Sequence, residues 1–132
     1  MSFTQAIASG FLHYAKFAGR ASRSEFWFWL LFTSLAGIVP ELLDHAIDPG
    51  NDILSGLWGF AVIVPTLAVA VRRLHDTDRN GWWLLLFFIP FFGGLVLIVW
   101  FCLGGKRGYN RFGANPLPAP PGPRHRVRAV RQ

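Results

Sequence analysis

Polar side chains cluster in three short runs of the sequence, FAGRASRSEFWFW (17–29), VRRLHDTDRNGWW (71–83) and GGKRGYNRFGANP (104–116). Five arginines in the first two runs accompany three carboxylates and one imidazole, a composition suited to ion pairs or to the binding of an anion. Nine residues form the candidate ion-pair and anion-binding cluster, namely Arg20, Arg23, Glu25, Arg72, Arg73, His75, Asp76, Asp78 and Arg79.

Two roles fit this cluster. The first is structural: charges of the two runs pair with each other, because an unpaired charge at a membrane boundary is costly. The pairs expected are Arg20 or Arg23 with Asp76 or Asp78, and Arg72 or Arg73 with Glu25. The second is functional, since five arginines against three carboxylates leave guanidinium groups for a lipid phosphate or another anionic headgroup.

A metal-dependent or hydrolytic role is a third hypothesis, because His75, Asp76 and Asp78 carry donor groups that metals accept. The neighbouring arginines disfavour a cation there, and Asp78 before the Asn80-Gly81 turn is equally typical of turn chemistry. The sequence has no Gly-rich phosphate loop, cysteine pair or nucleophile elbow. We therefore predict no catalytic residue, metal or cofactor, and a protein that is not an enzyme.

The rest of the chain is too apolar for a soluble domain. Of its 132 residues, 52% are hydrophobic and 15% are charged, whereas about a quarter are charged in typical soluble proteins. Uncharged tracts cover residues 26–40, 53–71 and 80–105. These features exclude an ordinary soluble enzyme, a disordered chain and a disulfide scaffold. The single cysteine, Cys102, is expected to be a small buried apolar residue.

The tracts predict three transmembrane helices, over about 26–43, 53–71 and 82–103. Nineteen residues of helix extend about 28 Å, which matches the hydrocarbon core of a bilayer. Pro65 and Pro90 predict kinks, with the carbonyls that they free bonded by neighbouring groups.

Both ends of the chain are predicted to lie outside the bilayer core. Apolar residues at helical spacing and a capping box of Ser2 and Gln5 predict a short amphipathic helix over about 3–17, on the membrane surface. The Pro/Arg-rich residues 117–132 predict a disordered tail. The expected fold is therefore an all-α membrane protein with a single integral membrane domain over 1–116.

The distribution of Lys and Arg predicts the orientation. The segment 41–52 contains neither residue and should face outward, which places the N-terminus and the 72–81 loop in the cytoplasm. Three full spans would then put seven Lys and Arg after residue 103 on the outer face, against the charge rule. Either the third tract crosses and the tail is translocated, or it folds back at residues 90–94 as a re-entrant hairpin buried against protein.

Four segments carry a family resemblance: FAGRASRSEFW (17–27), RRLHDTDRNGWW (72–83), IPFFGG (89–94) and NRFGANP (110–116). In this order and spacing the sequence resembles the domain of unknown function 805 family of small bacterial inner-membrane proteins, over roughly residues 10–116. Asn80 stands where serine is common in that family, and the Pro/Arg-rich tail is not one of its hallmarks. The resemblance implies an integral inner-membrane protein of unknown activity and supplies no catalytic residue.

We predict a multi-pass, non-enzymatic protein of the bacterial inner membrane that acts through anionic-lipid or protein contacts at its cytoplasmic interface. The expected partners are membrane lipids, a second copy of the chain or another membrane protein. Nucleic acid is not expected, because the sequence has no recognisable binding module. A small transporter or channel subunit is the alternative, and an enzyme acting on a lipid-linked substrate is a weaker one. No ionisable residue lies deep inside a tract, where ion pathways usually place one.

Overall fold

Residues 1–118 are described by a computed structural model of the protein, and over this range the chain is helical without strands. Its helices are α1 (Phe3–Leu12), α2 (Arg23–Ile47), α3 (Ile53–Asp76), a 3₁₀ helix (Gly81–Phe88) and α4 (Phe92–Cys102). The predicted all-α class is therefore confirmed. The predicted disordered tail, 117–132, lies outside the described residues from position 119 onwards.

Helices α2 and α3 are long and apolar enough to cross a membrane. They contain 25 and 24 residues, which corresponds to about 36 Å or more of helix, compared with about 30 Å of hydrocarbon. Helix α2 begins at Arg23 because the Ser22 hydroxyl accepts a hydrogen bond from the Glu25 N–H at 3.3 Å. These two helices contain the first two predicted spans.

Tryptophan side chains join α2 and α3 along their antiparallel contact. Trp29 is fully buried and donates its Nε1–H to the Thr66 hydroxyl at 3.1 Å. Trp58 donates its Nε1–H to the Thr33 carbonyl, also at 3.1 Å. A buried indole N–H needs such a partner, so these bonds fix the register of the two helices.

The turn between α2 and α3 is fixed by Asp44, which is 2% exposed. Its carboxylate accepts hydrogen bonds from the N–H groups of Leu54 and Ser55, at 3.1 and 2.8 Å, and from the Ser55 hydroxyl at 2.9 Å. Asp52 occupies the N-cap position of α3 but makes no side-chain cap bond. Asp44 therefore caps α3 from the preceding helix, where a negative charge is favourable.

Helix α1 packs against α2 and α3. The predicted capping box of Ser2 and Gln5 is present, but the helix ends at Leu12 and not near residue 17, because the chain turns at residues 13–15. A Cβ atom at Gly10 would overlap the Trp29 ring. The glycine that lowers helix propensity is therefore the residue that lets α1 approach α2 closely.

Pro65 lies inside α3 and has no N–H to donate to the Ala61 carbonyl one turn earlier. The Tyr14 hydroxyl donates to this carbonyl. The compensation predicted for the proline is thus supplied by the segment that follows α1.

The third apolar tract is not a continuous helix. Its 3₁₀ helix ends at Phe88, and Phe91 adopts φ 68° and ψ −58°, with the Phe92 N–H bonded to the Pro90 carbonyl at 2.8 Å, which is the geometry of a γ-turn. The two helices of the tract have 8 and 11 residues, and neither is long enough to span a bilayer. The prediction of a third spanning helix over 82–103 is therefore wrong, because proline and the reversal at Phe91 interrupt it.

The third apolar tract instead folds back on itself, as in the alternative of a hairpin at residues 90–94. The 3₁₀ helix and α4 form a hairpin in which a Cβ atom at Gly93 would overlap the Leu86 carbonyl, so this close approach requires glycine. Leu97 and Phe101 are the large side chains of α4 that are buried. Cys102 follows Phe101 by one residue, about 100° around the helix, and is exposed, contrary to the expectation that it is buried.

Candidate functional site

Three polar runs, residues 17–29, 71–83 and 104–116, meet at one end of the bundle. The first leads into α2, the second ends α3, and the third follows α4, which the hairpin returns to the same end. Backbone hydrogen bonds join them: the Ala21 N–H donates to the Arg72 carbonyl at 3.0 Å, and the Lys106 N–H donates to the Asp76 carbonyl at 2.9 Å. We refer to residues 104–116 as the C-terminal segment.

Arg20 lies at the centre of this junction, with its side chain 1% exposed. Its Nε–H donates to Asp76 Oδ1 at 2.9 Å. Its other four N–H groups donate to backbone carbonyls, those of Asp76, Lys106, Gly108 and Gly113. All five guanidinium donors are thus used inside the protein. Arg20 therefore fastens the C-terminal segment to α3.

Arg73 is fully buried and pairs through Nη1 with Asp76 Oδ2 at 2.5 Å. Its Nε–H donates to the Phe101 carbonyl at 3.3 Å, and its Nη2–H donates to the Leu103 carbonyl. These carbonyls lie at the end of α4, where a helix has no backbone donors left for them. Arg73 therefore caps α4. Asp76 pairs with two arginines, with Arg20 through Oδ1 and with Arg73 through Oδ2.

Arg72 and Glu25 form a second buried pair, with 2.7 Å between Nη1 and Oε1 and side chains 5% and 4% exposed. The same Glu25 oxygen accepts a hydrogen bond from the Ser9 hydroxyl at 2.6 Å. The Ser9 hydroxyl lies 3.1 Å from His13 Nδ1. Helix α1 thus lies over this ion pair.

Asp78 lies just beyond α3 and pairs with two cations of the C-terminal segment, Lys106 at 2.9 Å and Arg111 at 3.3 Å. The hydrogen bond from the Lys106 ammonium, supported by the charges of both cations, holds the pKa of Asp78 below its ordinary value of 3.8. This group therefore stays ionised throughout the physiological pH range.

His75 also contacts the C-terminal segment. Its ring stacks on the Phe112 ring, with centroids 3.9 Å apart and planes at 3°. Its Nδ1 lies 2.9 Å from the Gly19 carbonyl, and its own carbonyl accepts a hydrogen bond from the Asn110 side chain at 2.8 Å. His75 is therefore a packing residue between two of the three polar runs.

Five of the nine candidate residues form one buried set, which we call the arginine cluster: Arg20, Glu25, Arg72, Arg73 and Asp76. Arg20 with Asp76 and Arg72 with Glu25 are among the pairs expected from the sequence. Arg73 pairs with Asp76 and not with Glu25.

Two candidate arginines lie outside this set. Arg23 is exposed and donates to the Cys102 carbonyl at 3.4 Å. The Arg79 guanidinium lies 4.5 Å from the centre of the Trp100 ring. Both arginines contact the hairpin and not a carboxylate.

The third hypothesis, a metal or hydrolytic site, is not supported by the geometry, since His75, Asp76 and Asp78 have separate partners. Asp76 is bonded to arginines, Asp78 to the C-terminal segment and His75 to Phe112. Within residues 1–118, no three His, Cys, Asp or Glu side chains are arranged to hold a metal ion.

The sequence prediction missed the contributions of Ser9, Lys106, Arg111 and Phe112. The polar run 104–116 is recognisable in the sequence, but a third full span places it on the opposite side of the membrane. The surplus of Lys and Arg in this run was the available signal, because it conflicts with that topology.

Charge is separated between the two ends of the bundle. All nine Lys and Arg of the described range lie at the end that contains the arginine cluster, with three carboxylates. The opposite end holds four carboxylates and neither Lys nor Arg. Five exposed cations at the cluster end form what we call the basic face: Lys16, Arg23, Lys106, Arg107 and Arg111.

Comparison with known proteins relates this chain to a family. Residues 14–114 match the family described as "Protein of unknown function (DUF805)". "Inner membrane protein YhaI" of Escherichia coli (strain K12) is 45% identical over 104 residues, covering 79% of this chain and 88% of that protein. "Inner membrane protein YhaH" of the same strain is 45% identical over 112 residues, covering 82% and 93%. No solved structure matches.

Proposed function

The chain belongs to the DUF805 family, and from that premise we propose that it is a multi-pass protein of the bacterial inner membrane with its N-terminus in the cytoplasm. Two relatives are named inner membrane proteins. Helices α2 and α3 have the length and apolarity of two membrane spans. The orientation follows from the distribution of Lys and Arg, which in the described residues lie only at one end of the helix bundle.

The 3₁₀ helix and α4 then form a re-entrant hairpin that enters and leaves from the cytoplasmic side. This arrangement keeps Lys106, Arg107 and Arg111 in the cytoplasm, so the conflict with the charge rule disappears. The carbonyls at the end of α4 are bonded by Arg73, as a backbone near the hydrocarbon requires.

The function that we propose is binding of anionic lipid headgroups by the basic face. The observation that carries it is the cluster of exposed cations at one end, with the partly exposed Asp78 beside them. Each Lys or Arg near an anionic membrane surface contributes about 1 kcal/mol, which is about fivefold in affinity. Glu25 and Asp76 are engaged in ion pairs, which supports a non-enzymatic role.

The experiment compares binding of phosphatidylglycerol with binding of phosphatidylcholine, by native mass spectrometry of the full chain released from mixed nanodiscs. Replacing Lys16 and Arg107 with glutamine removes two exposed charges from outside the arginine cluster. We expect preference for the anionic lipid to fall about fivefold per charge.

The matched control replaces Glu41 and Asp48, exposed acids at the opposite end, with glutamine and asparagine. It should leave the preference for the anionic lipid unchanged. An unaltered preference in the Lys16 and Arg107 variant would overturn the proposal.

A further inference from the structure

Two nitrogen atoms of Arg72 lack hydrogen-bond partners. Its Nε and Nη2 are buried and find no acceptor in residues 1–118. Its Nη1, by contrast, donates to Glu25 at 2.7 Å. Unpaired buried donors are costly, and arginine does not relieve that cost by losing a proton. A group that accepts from both nitrogens would therefore stabilise the folded protein.

The two atoms lie on the same edge of the guanidinium group. The N–H bonds of Nε and Nη2 point in parallel, and their spacing matches two oxygens of one phosphate or carboxylate group. A single water molecule has only one oxygen to accept hydrogen bonds, so it matches these two parallel N–H bonds less well. The geometry of the unpaired edge therefore favours an oxyanion.

The arginine cluster as a whole carries a net positive charge, which is compatible with a bound anion. The arginine cluster contains three guanidinium groups and two carboxylates, which leaves one positive charge in buried surroundings. Arg20 uses all five of its donors internally, and Arg73 directs its donors to Asp76 and to backbone carbonyls. The charge of Arg72 is balanced by Glu25, but among the three arginines of the cluster Arg72 alone has buried N–H donors without an acceptor in residues 1–118.

Helix α1 covers this part of the cluster. Ser9 is buried and bonded to Glu25, and the half-buried His13 lies next to it. The hydroxyl proton of Ser9 is donated to Glu25, but the His13 imidazole beside it has a ring N–H that can donate to an anion.

We propose that the Nε and Nη2 edge of Arg72 binds a phosphate group bidentately beneath α1. A lipid headgroup and free inorganic phosphate share this chemistry. The site is separate from the basic face, because it uses a buried arginine and none of the five exposed cations.

The test follows the ¹⁵N and ¹H signals of the Arg72 Nε–H by NMR, with the full chain in nanodiscs. One arm titrates inorganic phosphate into phosphatidylcholine nanodiscs, and the other exchanges phosphatidylcholine for phosphatidylglycerol. A shift in the first arm identifies free phosphate, and a shift in the second arm alone identifies a headgroup. The absence of a shift in both arms would overturn the proposal.

Arg72→Lys keeps the positive charge but removes the planar edge, so we expect phosphate binding, followed here by ³¹P NMR of the added phosphate, to weaken at least roughly tenfold. Arg79→Lys makes the same chemical change at an arginine outside both the arginine cluster and the basic face, and this variant should bind as wild type does. Equal affinities of the Arg72→Lys variant and wild type would contradict the site.

Glu25→Gln keeps the acceptor for Arg72 and Ser9 and removes the competing negative charge, which makes it informative even if Arg72→Lys does not fold. We expect phosphate to bind roughly tenfold more tightly. Unchanged or weaker binding would overturn the proposal. The Lys16 and Arg107 variant should leave the Arg72 signal unaltered, so failure at the basic face is distinguishable from failure at this site.

Discussion

The ring of Trp83 packs edge-on against the ring of Trp100, with centroids 5.6 Å apart and planes at 85°. Seventeen residues of straight helix would separate these side chains by about 25 Å. The contact exists because the chain reverses direction at Phe91, between the 3₁₀ helix and α4. Both ends of the third apolar tract therefore lie beside the end of α3.

Adjacent glycines provide a test of this hairpin. Gly93→Ala should destabilise the protein by about 1–3 kcal/mol, because its Cβ atom would overlap the Leu86 carbonyl. Gly94→Ala, with nothing within 4 Å of the added atom, should change the free energy of unfolding by less than about 0.5 kcal/mol. Thermal unfolding in detergent, followed by tryptophan fluorescence, measures both. Equal effects of the two substitutions would indicate a straight third helix.

The single cysteine reports the side of the membrane on which α4 ends. Cys102 is exposed, and in a re-entrant hairpin it lies at the cytoplasmic boundary. A membrane-impermeant maleimide should therefore label it in inverted vesicles and not in spheroplasts. Asn51→Cys in a Cys102→Ser background should show the opposite pattern. Labelling of Cys102 in spheroplasts would rule out the hairpin topology.

Arg20 should be irreplaceable by lysine. Arg20→Lys retains a charge for Asp76 but loses most of the donors to the C-terminal segment, so we expect a loss of about 3–5 kcal/mol. Arg23→Lys, at an exposed position, should cost less than about 0.5 kcal/mol. Chemical unfolding and protease cleavage within residues 104–116 measure the effect. A stable Arg20→Lys variant with a protected segment would refute the role of Arg20.

Asp44 and not Asp52 should act as the cap of α3. Asp44→Ala removes the acceptor for the N–H groups of Leu54 and Ser55 and should cost about 1–2 kcal/mol. Asp52→Ala should cost much less, since this side chain makes no cap bond. The comparison uses thermal unfolding at neutral pH. The reverse order of effects would show that the cap is assigned to the wrong residue.

The ion pairs of Asp78 should stabilise the folded protein at neutral pH and should lose this effect in acid. Its pKa is lowered on folding, so its contribution is fully present above the ordinary pKa of 3.8 and is lost as the pH falls through the lowered value. The stability difference between wild type and Asp78→Asn should be constant at neutral pH and should shrink only below about pH 4. The ¹³C shift of the Asp78 carboxyl group measures its titration directly. A midpoint above 3.8 would contradict the ion pairing.

The sequence predicts those parts of the fold that depend on local pattern or on the general cost of burying charge. Two long apolar tracts predict α2 and α3, and Ser2 with Gln5 predicts the start of α1. The pairing of Arg20 with Asp76 follows once both polar runs are placed at one boundary. These inferences need no knowledge of how the helices pack.

The sequence predicts the hairpin only as the alternative to a third span, because hydropathy measures the length of an apolar tract and not its backbone conformation. Pro90 and the glycines after it marked the break, and the seven Lys and Arg after residue 103 marked the topology. Asp44 was also missed as a cap, since its target lies on the following helix. Gly10 lowers the helix propensity of α1, and only its contact with Trp29 in the folded protein explains why a glycine is needed there.

The separation of charge between the two ends of the bundle affects how the protein is inserted into the membrane. With the proposed orientation, residues 41–52 are the only described segment that must be translocated, and they carry four carboxylates. An energised inner membrane is positive outside, so the proton-motive force draws this segment outward, by about 2.3 kcal/mol per charge at 100 mV. Collapsing that force with an ionophore should slow biogenesis. All three polar runs, and the hairpin between the second and the third, then stay on the side on which the ribosome releases them.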